Sequence, residues 1–184
     1  MNAVEIEEAV SELASKPFDR ADFAYQFLAA FGNKETTIKR LRAAGGSNAS
    51  DVPGGILQRN NIHLATCAAG EVDATLKALR DSPKTASAKA KFILATDGET
   101  LQAEDVTSDD PPIACEYAKF PDHFGFFLPL AGITTVKQIR EDATNAQRLR
   151  HARALVMLGN EMDKRVKAHE KSMERDRDAP GRSR

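Results

Sequence analysis

The sequence contains only two cysteines, Cys67 and Cys115, and both lie in apolar runs typical of strands. This pattern favours reduced packing cysteines in a cytosolic protein over a disulfide framework, and it suggests no metal cluster. No apolar run approaches the length that spans a membrane, and acids stand near the N-terminus where a signal peptide carries bases. We therefore expect a soluble, cytoplasmic protein with no membrane partner.

A strong charge of one sign is also lacking, since 26 lysines and arginines face 27 acids and give a net charge of -1. The total therefore predicts no polyanion partner by itself. The distribution is uneven: residues 1–133 carry 13 basic and 19 acidic side chains, whereas residues 134–184 carry 13 and 8. The cationic part is the C-terminal tail.

A strand, a glycine and a helix follow one another in the centre of the chain. Residues 62–68 are apolar or small on both alternating faces, except for His63, as in a strand buried within a mixed sheet. Gly70 ends that run, and apolar residues then recur at helical spacing up to Leu79. Residues 92–96 predict a second buried strand, and Asp97-Gly98 predicts a hairpin into residues 101–106.

Helical patterns precede and follow this centre. Residues 4–13 predict an acidic surface helix with Val4, Ala9, Val10 and Leu13 on one side, and the phenylalanines of residues 23–31 predict a core helix. The run FPDHFGFFLPLAGI at 120–133 is an apolar docking segment in which prolines and glycines prevent a long regular helix. Residues 134–166 predict one long amphipathic helix, and the charged end should fray.

Several short patterns are candidates for binding or chemistry. Lys39, Arg40 and Arg42 form a basic cluster that predicts phosphate or DNA contact or, more simply, a solvated helix face. The adjacent Asp122-His123 pair favours a structural role, because adjacent residues do not face one point and no further ligands are evident. The glycines at 45–46 lack the following Lys-Ser/Thr of a phosphate-binding loop.

The order of these features resembles the N-terminal nuclease-like domain of MmeI-type (type IIG and IIL) restriction-modification enzymes, which act in phage defence. The similar segments are FGNK at 31–34, GGILQ at 54–58, IHLATCAAGEVDATLKAL at 62–79, AKFILATDGETLQAEDV at 90–106 and the FPDHFGFFLPLAGI segment. In that family a PD-(D/E)xK endonuclease domain precedes a helical connector, an adenine-specific DNA methyltransferase and a target-recognition domain. The resemblance implies a restriction-endonuclease-like α/β (α+β) fold: a mixed sheet flanked by helices over residues 1–133, then a connector helix and tail over 134–184.

The resemblance also implies where nuclease ligands would lie. Such a site uses two carboxylates to hold Mg²⁺ and a lysine two residues beyond the second carboxylate. Alignment of the central strand puts these roles at Gly55, Ala65 and Cys67, none of which can bind magnesium. We therefore expect a degenerate nuclease without catalytic residues or metal.

Ligands that have moved to neighbouring positions are the alternative. Asp51 lies upstream of the strand pair, while Glu71, Asp73 and Lys77 begin the following helix. The simpler interpretation of Glu71 and Asp73 is that of ordinary acids at a helix N-terminus.

Three functions remain open at this point. The first is a non-catalytic N-terminal domain, or truncated remnant, of a class I SAM-dependent adenine-specific DNA methyltransferase or restriction-modification protein. It would bind no cofactor itself, would dock on a methyltransferase or helical domain in the same or a neighbouring chain, and would bind DNA weakly at best. The others are a Mg²⁺-dependent endonuclease with moved ligands and a free-standing interaction or regulatory protein.

The tetrad Asp110-Pro111-Pro112-Ile113 differs from that of amino-methyltransferases at its last position, and the chain has no Phe-x-Gly-x-Gly cofactor loop.

Overall fold

The computed structural model describes residues 2–43, 46–133, 162 and 164–167. The chain divides into two units, Met1–Ala143 and Thr144–Arg184. In the second unit, the described residues 162 and 164–167 are helical and exposed. Most of the predicted long helix, and the domain boundary predicted after residue 133, lie outside the described residues.

The first unit contains three helices, then strands alternating with helices, and finally a long 3₁₀ segment. The elements are α1 (Ala3–Ser15), α2 (Phe23–Ala30), α3 (Glu35–Arg42), β1 (Gly55–Gln58), β2 (Ile62–Thr66), α4 (Val72–Asp81), α5 (Pro83–Ser87), β3 (Phe92–Thr96), β4 (Thr100–Asp105), β5 (Ile113–Glu116) and the 3₁₀ segment (Tyr117–Ala131). Within the described residues, no helix is long and apolar enough to cross a membrane.

The strands form one five-stranded sheet in the order β1-β2-β3-β4-β5. β2 and β3 are parallel, and the other neighbours are antiparallel. A parallel pair needs a crossover, and here α4 and α5 provide it after Gly70 turns the chain with a φ of 79°. The predicted strand–glycine–helix unit, the Asp97-Gly98 hairpin and the mixed-sheet α+β fold class are confirmed.

Apolar side chains cover both faces of the sheet. On one face, α4 packs on β2 and β3 through Ala65, Leu76, Leu79 and Ile93, which are all buried. The side chain of Phe92 points to the face opposite that of Ile93, because successive side chains of a strand alternate between the two faces. Phe92 contacts Phe126 and Phe127 of the 3₁₀ segment, so this segment lies on the second face.

The phenylalanines join α2 to the 3₁₀ segment. Phe27 is 0% exposed, and its ring contacts those of Phe23, Phe31, Phe120 and Phe127 at centroid distances of 4.8–5.9 Å. Burying one such ring stabilises the fold by about 1.5–3 kcal/mol. The predicted core helix and apolar docking segment are therefore confirmed, and Pro121 and Pro129 inside the segment explain why it does not form a regular α-helix.

The predicted apolar side of α1 was right for Val10 and Leu13, which are buried, and wrong for Val4 and Ala9. Helix α5 was not predicted. Ile6 and Val10 are 0% exposed and Ala3 is 2% exposed, whereas Val4 and Ala9 are only half-buried. The apolar stripe follows positions 3, 6, 10 and 13, which share one side of a helix at 3.6 residues per turn. The helix is thus part of the core rather than an acidic surface element.

Candidate functional site

The sheet register brings the three positions of the expected nuclease site together. Gly55 of β1 pairs directly with Ala65 of β2. Cys67 lies two residues beyond Ala65 and therefore points to the same face, while its N–H donates to the carbonyl of Thr96 at 3.0 Å. The positions that the resemblance assigned to magnesium and lysine chemistry thus share one end of the β1–β2 pair.

Apolar packing and a loop occupy the space at these positions. Ala65 is 0% exposed and Cys67 is 8% exposed, and both pack against α4. Residues 47–52, which we call the covering loop, lie over Gly55. A Cβ atom added at Gly55 would overlap the Ser50 hydroxyl and would lie 2.7 Å from the carbonyl oxygen of Val52. A carboxylate at position 55 would therefore have to displace this loop.

A chain of hydrogen bonds through buried His63 holds the covering loop, and we call Ser50, His63 and Thr85 the histidine latch. The Thr85 hydroxyl donates to the carbonyl of Leu79 at 2.6 Å, so it accepts from His63 Nδ1–H at 2.7 Å. The lone pair on Nε2 then accepts the Ser50 hydroxyl at 2.8 Å. Both ring nitrogens are thereby satisfied by a neutral imidazole with the proton on Nδ1.

The electrostatics of the latch favour that neutral state. Burial lowers the pKa of His63, and the nearby Asp51 carboxylate opposes this effect in part. Protonation at Nε2 would turn the Ser50 hydroxyl away from the ring and toward the carbonyl of Val52, 3.2 Å away, and would place a charge in the core. Burial therefore favours the uncharged state of His63 in the latch.

An open cleft of about 810 Å³ lies beside Cys67, at the carboxyl end of β2. Its polar lining comes from Arg20, Thr66, Glu71 and Thr75, and the remaining lining side chains are small or apolar. Burial raises the pKa of the Cys67 thiol, which keeps the sulfur protonated and poorly nucleophilic. The cleft has room for a ligand, but its cysteine is a packing residue.

The acids considered as moved ligands lie at opposite ends of α4. Asp51 accepts a hydrogen bond from Ser82, which follows the last residue of the helix, at 2.6 Å. Glu71 and Asp73 lie at the first turn, and a ten-residue helix is about 15 Å long. Lys77 is exposed on the same helix. Among the described residues, no group of three or more His, Cys, Asp or Glu side chains is placed to hold a metal ion.

Asp97 accepts hydrogen bonds from three backbone N–H groups near the cleft end of the sheet, and the sequence indicated only its turn. Burial opposes its ionisation, yet N–H groups of Thr100, Gly70 and Glu99 donate to it and hold its pKa at about 2. These bonds tie the turn before α4 to the β3–β4 hairpin. The ionised Asp97 carboxylate therefore has a structural role at this edge of the sheet.

The basic cluster on α3 is partly neutralised within the protein. Lys39 pairs with Glu35 at 2.7 Å, and Arg42 pairs with Asp22 at 2.8 Å while its guanidinium stacks on Tyr25 at 4.3 Å. Arg40 forms no ion pair within the described part of the chain. DNA contact at this helix stays a prediction.

The Asp122-His123 pair lies in the 3₁₀ segment. Asp122 is exposed, while His123 is half-buried. Neither belongs to a cluster of potential metal ligands in the part of the chain that the structure describes.

The fold and site together define an α+β protein in which a loop packs over the β1–β2 pair of a mixed sheet. The chain belongs to the family described as MmeI, N-terminal domain, whose model matches residues 1–155. It is also 25% identical over 142 residues to DNA methyltransferase A of Bacillus subtilis (strain 168). The match covers 77% of this chain and 16% of that protein. No solved structure matches. The chain is therefore associated with restriction-modification proteins.

Replacing Gly55 by alanine tests whether the covering loop fills the site. Overlap with Ser50 and Val52 should lower the free energy of unfolding by roughly 1–3 kcal/mol in urea denaturation. Amide hydrogen exchange in residues 47–52 should become faster. Gly70→Ala is the control, since no atom lies within 4 Å of its added Cβ and its cost comes from its φ of +79° alone. Unchanged loop protection in Gly55→Ala would contradict this arrangement.

The stability of the domain should depend on the protonation of His63. Burial lowers the folded-state pKa of His63 below the ordinary histidine value of 6.5, so the folded state binds fewer protons than the unfolded state as the pH falls through this range. The free energy of unfolding is therefore highest above pH 6.5 and declines below it. Urea denaturation between about pH 5.5 and 7.5 measures this slope. His63→Gln should flatten the slope, whereas His123→Gln should retain it; equal slopes in all three proteins would rule out the latch.

Proposed function

We propose that this chain is the non-catalytic N-terminal domain of a restriction-modification protein with an adenine-specific DNA methyltransferase, and that it serves as a scaffold on which the methyltransferase part docks. The observation that carries this proposal is the register of Gly55 and Ala65. The two positions where hard oxygen ligands would face each other carry a hydrogen and a methyl group. Magnesium chemistry needs carboxylates at such positions, because Mg²⁺ is held by oxygen ligands.

The occupied space supports the same proposal. The covering loop lies over Gly55, and Ala65 and Cys67 pack under α4, so the site is filled by the protein itself. Apolar packing of this kind stabilises the domain and offers no oxygen ligand to a metal at positions 55, 65 and 67, although the cleft beside Cys67 is open. The former site, on this proposal, contributes stability in place of catalysis.

The docking role rests on the family and on the extent of the match. DNA methyltransferase A is much longer than the matched region, because the match covers only 16% of it. We infer that the partner is a methyltransferase domain in the same or a neighbouring chain, reached through the segment that follows residue 133. The expected location of such a system is the cytoplasm, where its DNA is found. DNA contact through Arg40 of α3 belongs to this proposal as well.

A magnesium-dependent endonuclease with moved ligands is the second candidate. It is favoured by one observation, the presence of Glu71 in the cleft beside Cys67. The discriminating result would be Mg²⁺-dependent cleavage of plasmid DNA by the purified chain that is abolished by Glu71→Ala or Asp51→Ala.

The docking proposal predicts a defined complex. Tagged protein purified from its own cells should carry a DNA methyltransferase in near-equal amount, identified by peptide mass, or should itself prove to be the start of a longer methyltransferase polypeptide. If the methyltransferase is a separate chain, Gly55→Ala should reduce the amount of complex only in proportion to the fraction of unfolded domain. Circular dichroism of the same sample measures that fraction. Recovery of the chain alone, with no methyltransferase in the same reading frame, would contradict the proposal.

A further inference from the structure

We propose that a basic rim, formed by Arg59, Lys89 and Lys91, binds the phosphate backbone of duplex DNA. The rim lies at the amino ends of β2 and β3, opposite the cleft, and it is separate from the basic cluster on α3. This inference rests on the proposed function, since it names the surface through which the docked domain would contact DNA.

Backbone hydrogen bonds hold the rim together. The N–H of Asn60 donates to the carbonyl of Ala88 at 2.8 Å, and the N–H of Lys91 donates to the carbonyl of Asn61 at 2.8 Å. The β1–β2 turn that carries Arg59 is thereby fixed against the segment that carries Lys89 and Lys91. All three cationic side chains are exposed.

Five other cations of the domain are held in ion pairs, whereas the three rim cations are not, within the part of the chain that the structure describes. Ion pairs engage Lys16, Lys39, Arg42, Arg80 and Lys119. Arg59, Lys89 and Lys91 form no ion pair in the described residues. Glu104 and Asp105 of β4 line a pocket with Lys89. Glu104 pairs with Arg80, whereas Asp105 accepts only the N–H and hydroxyl of Thr107 at 2.8 and 2.6 Å and keeps its charge. Three cations beside this one acid leave the rim with a net positive charge for an external anion.

The backbone at the rim is unusual in a way that favours a role for its side chains. Asn60 and Lys89 have φ angles of 58° and 53°, and they are the two non-glycine residues with positive φ in the described chain. Glycine adopts this conformation without a steric penalty, whereas lysine does not. Lysine at position 89 thus places a charge at the rim at a cost in backbone strain.

Neutral amides continue the surface. Asn61 Nδ2 donates to Gln58 Oε1 at 2.8 Å, and Gln58 in turn contacts the side chain of Asn33, which precedes exposed Lys34. Lysine and arginine together with asparagine and glutamine amides are the groups that contact DNA phosphates and sugars. The chemistry of the rim therefore suits a nucleic-acid backbone.

The opposite end of the sheet would repel the same ligand. Asp97 there has a pKa of about 2 and stays ionised, and Glu99 follows two residues later. The hydrogen bond from Gly70 to Asp97 places it beside the turn that precedes Glu71 and Asp73. Residues 1–133 carry 13 basic and 19 acidic side chains, so the domain has no general attraction for polyanions. Binding would have to be local, with the rim toward the DNA and the cleft away from it.

The test compares two double variants of the full chain. Arg59→Gln with Lys89→Gly removes two rim charges, and the glycine relieves the left-handed strain, so folding is not threatened. Lys16→Gln with Lys119→Gln removes the same charge from two paired surface lysines. Fluorescence anisotropy with a labelled duplex of about 20 base pairs, between about 50 and 200 mM salt, should show about tenfold weaker binding and a salt slope reduced by about two for the rim variant. The control should bind within twofold of the unaltered chain, because both keep the same cationic tail.

The remaining outcomes each count against the rim. Equal losses in the two variants would assign DNA binding to net charge alone, and unchanged binding by the rim variant, or no measurable binding by the unaltered chain, would overturn the proposal. Rim-dependent binding to phosphatidylserine vesicles without rim-dependent binding to DNA would assign the surface to a membrane instead. If the rim fails while a methyltransferase still co-purifies, the docking proposal stands on its own.

Discussion

The hydrogen-bond chain from Ser50 through His63 to Thr85 is the constraint on which the closed strand pair depends. It fixes the covering loop over Gly55, and only a residue without a side chain leaves room for that loop. The imidazole must be neutral to accept the serine hydroxyl, and burial maintains that state. A buried polar network of this kind stabilises the fold only when every member is satisfied, and in the described residues no buried side-chain polar atom lacks a partner.

Closure of the strand pair and the distribution of charge make the two ends of the sheet different. At the carboxyl end of β2, a cleft with Arg20 and Glu71 adjoins the ionised Asp97. At the amino end, two strained turns present unpaired cations. On the two proposals above, such a domain would support a larger assembly while its amino end contacts a polyanion. This division is consistent with the family to which the chain belongs, and with its match to a small part of a DNA methyltransferase.

Local sequence patterns predicted the elements whose partners are near in the chain. A run that is apolar or small on both faces, followed by Gly70 and then by apolar residues at helical spacing, was enough to predict β2 and α4. Asp97-Gly98 was enough for the hairpin, because residue periodicity and turn chemistry are local properties. The resemblance placed Gly55, Ala65 and Cys67 at related positions, and the register brings them together. The lack of an oxygen ligand for magnesium at these three positions was evident from residue type alone.

The latch and the rim could not be predicted in the same way. Ser50 and Thr85 lie 13 and 22 residues from His63, so only the fold shows that they meet. The sequence signal for the latch was a single histidine in an otherwise apolar strand. For α1, the choice of inward face failed because several apolar residues compete for two overlapping stripes, and only tertiary packing selects Ile6 over Val4.

The most direct measurement of the central claim is a magnesium titration of the full chain followed through the backbone amide signals of residues 50, 55, 65, 67 and 71. We expect no saturable, site-specific shift up to about 10 mM Mg²⁺, because no group of three or more potential metal ligands is found among the residues that the structure describes. Saturable shifts confined to these residues, accompanied by loss of protection in the covering loop, would contradict it.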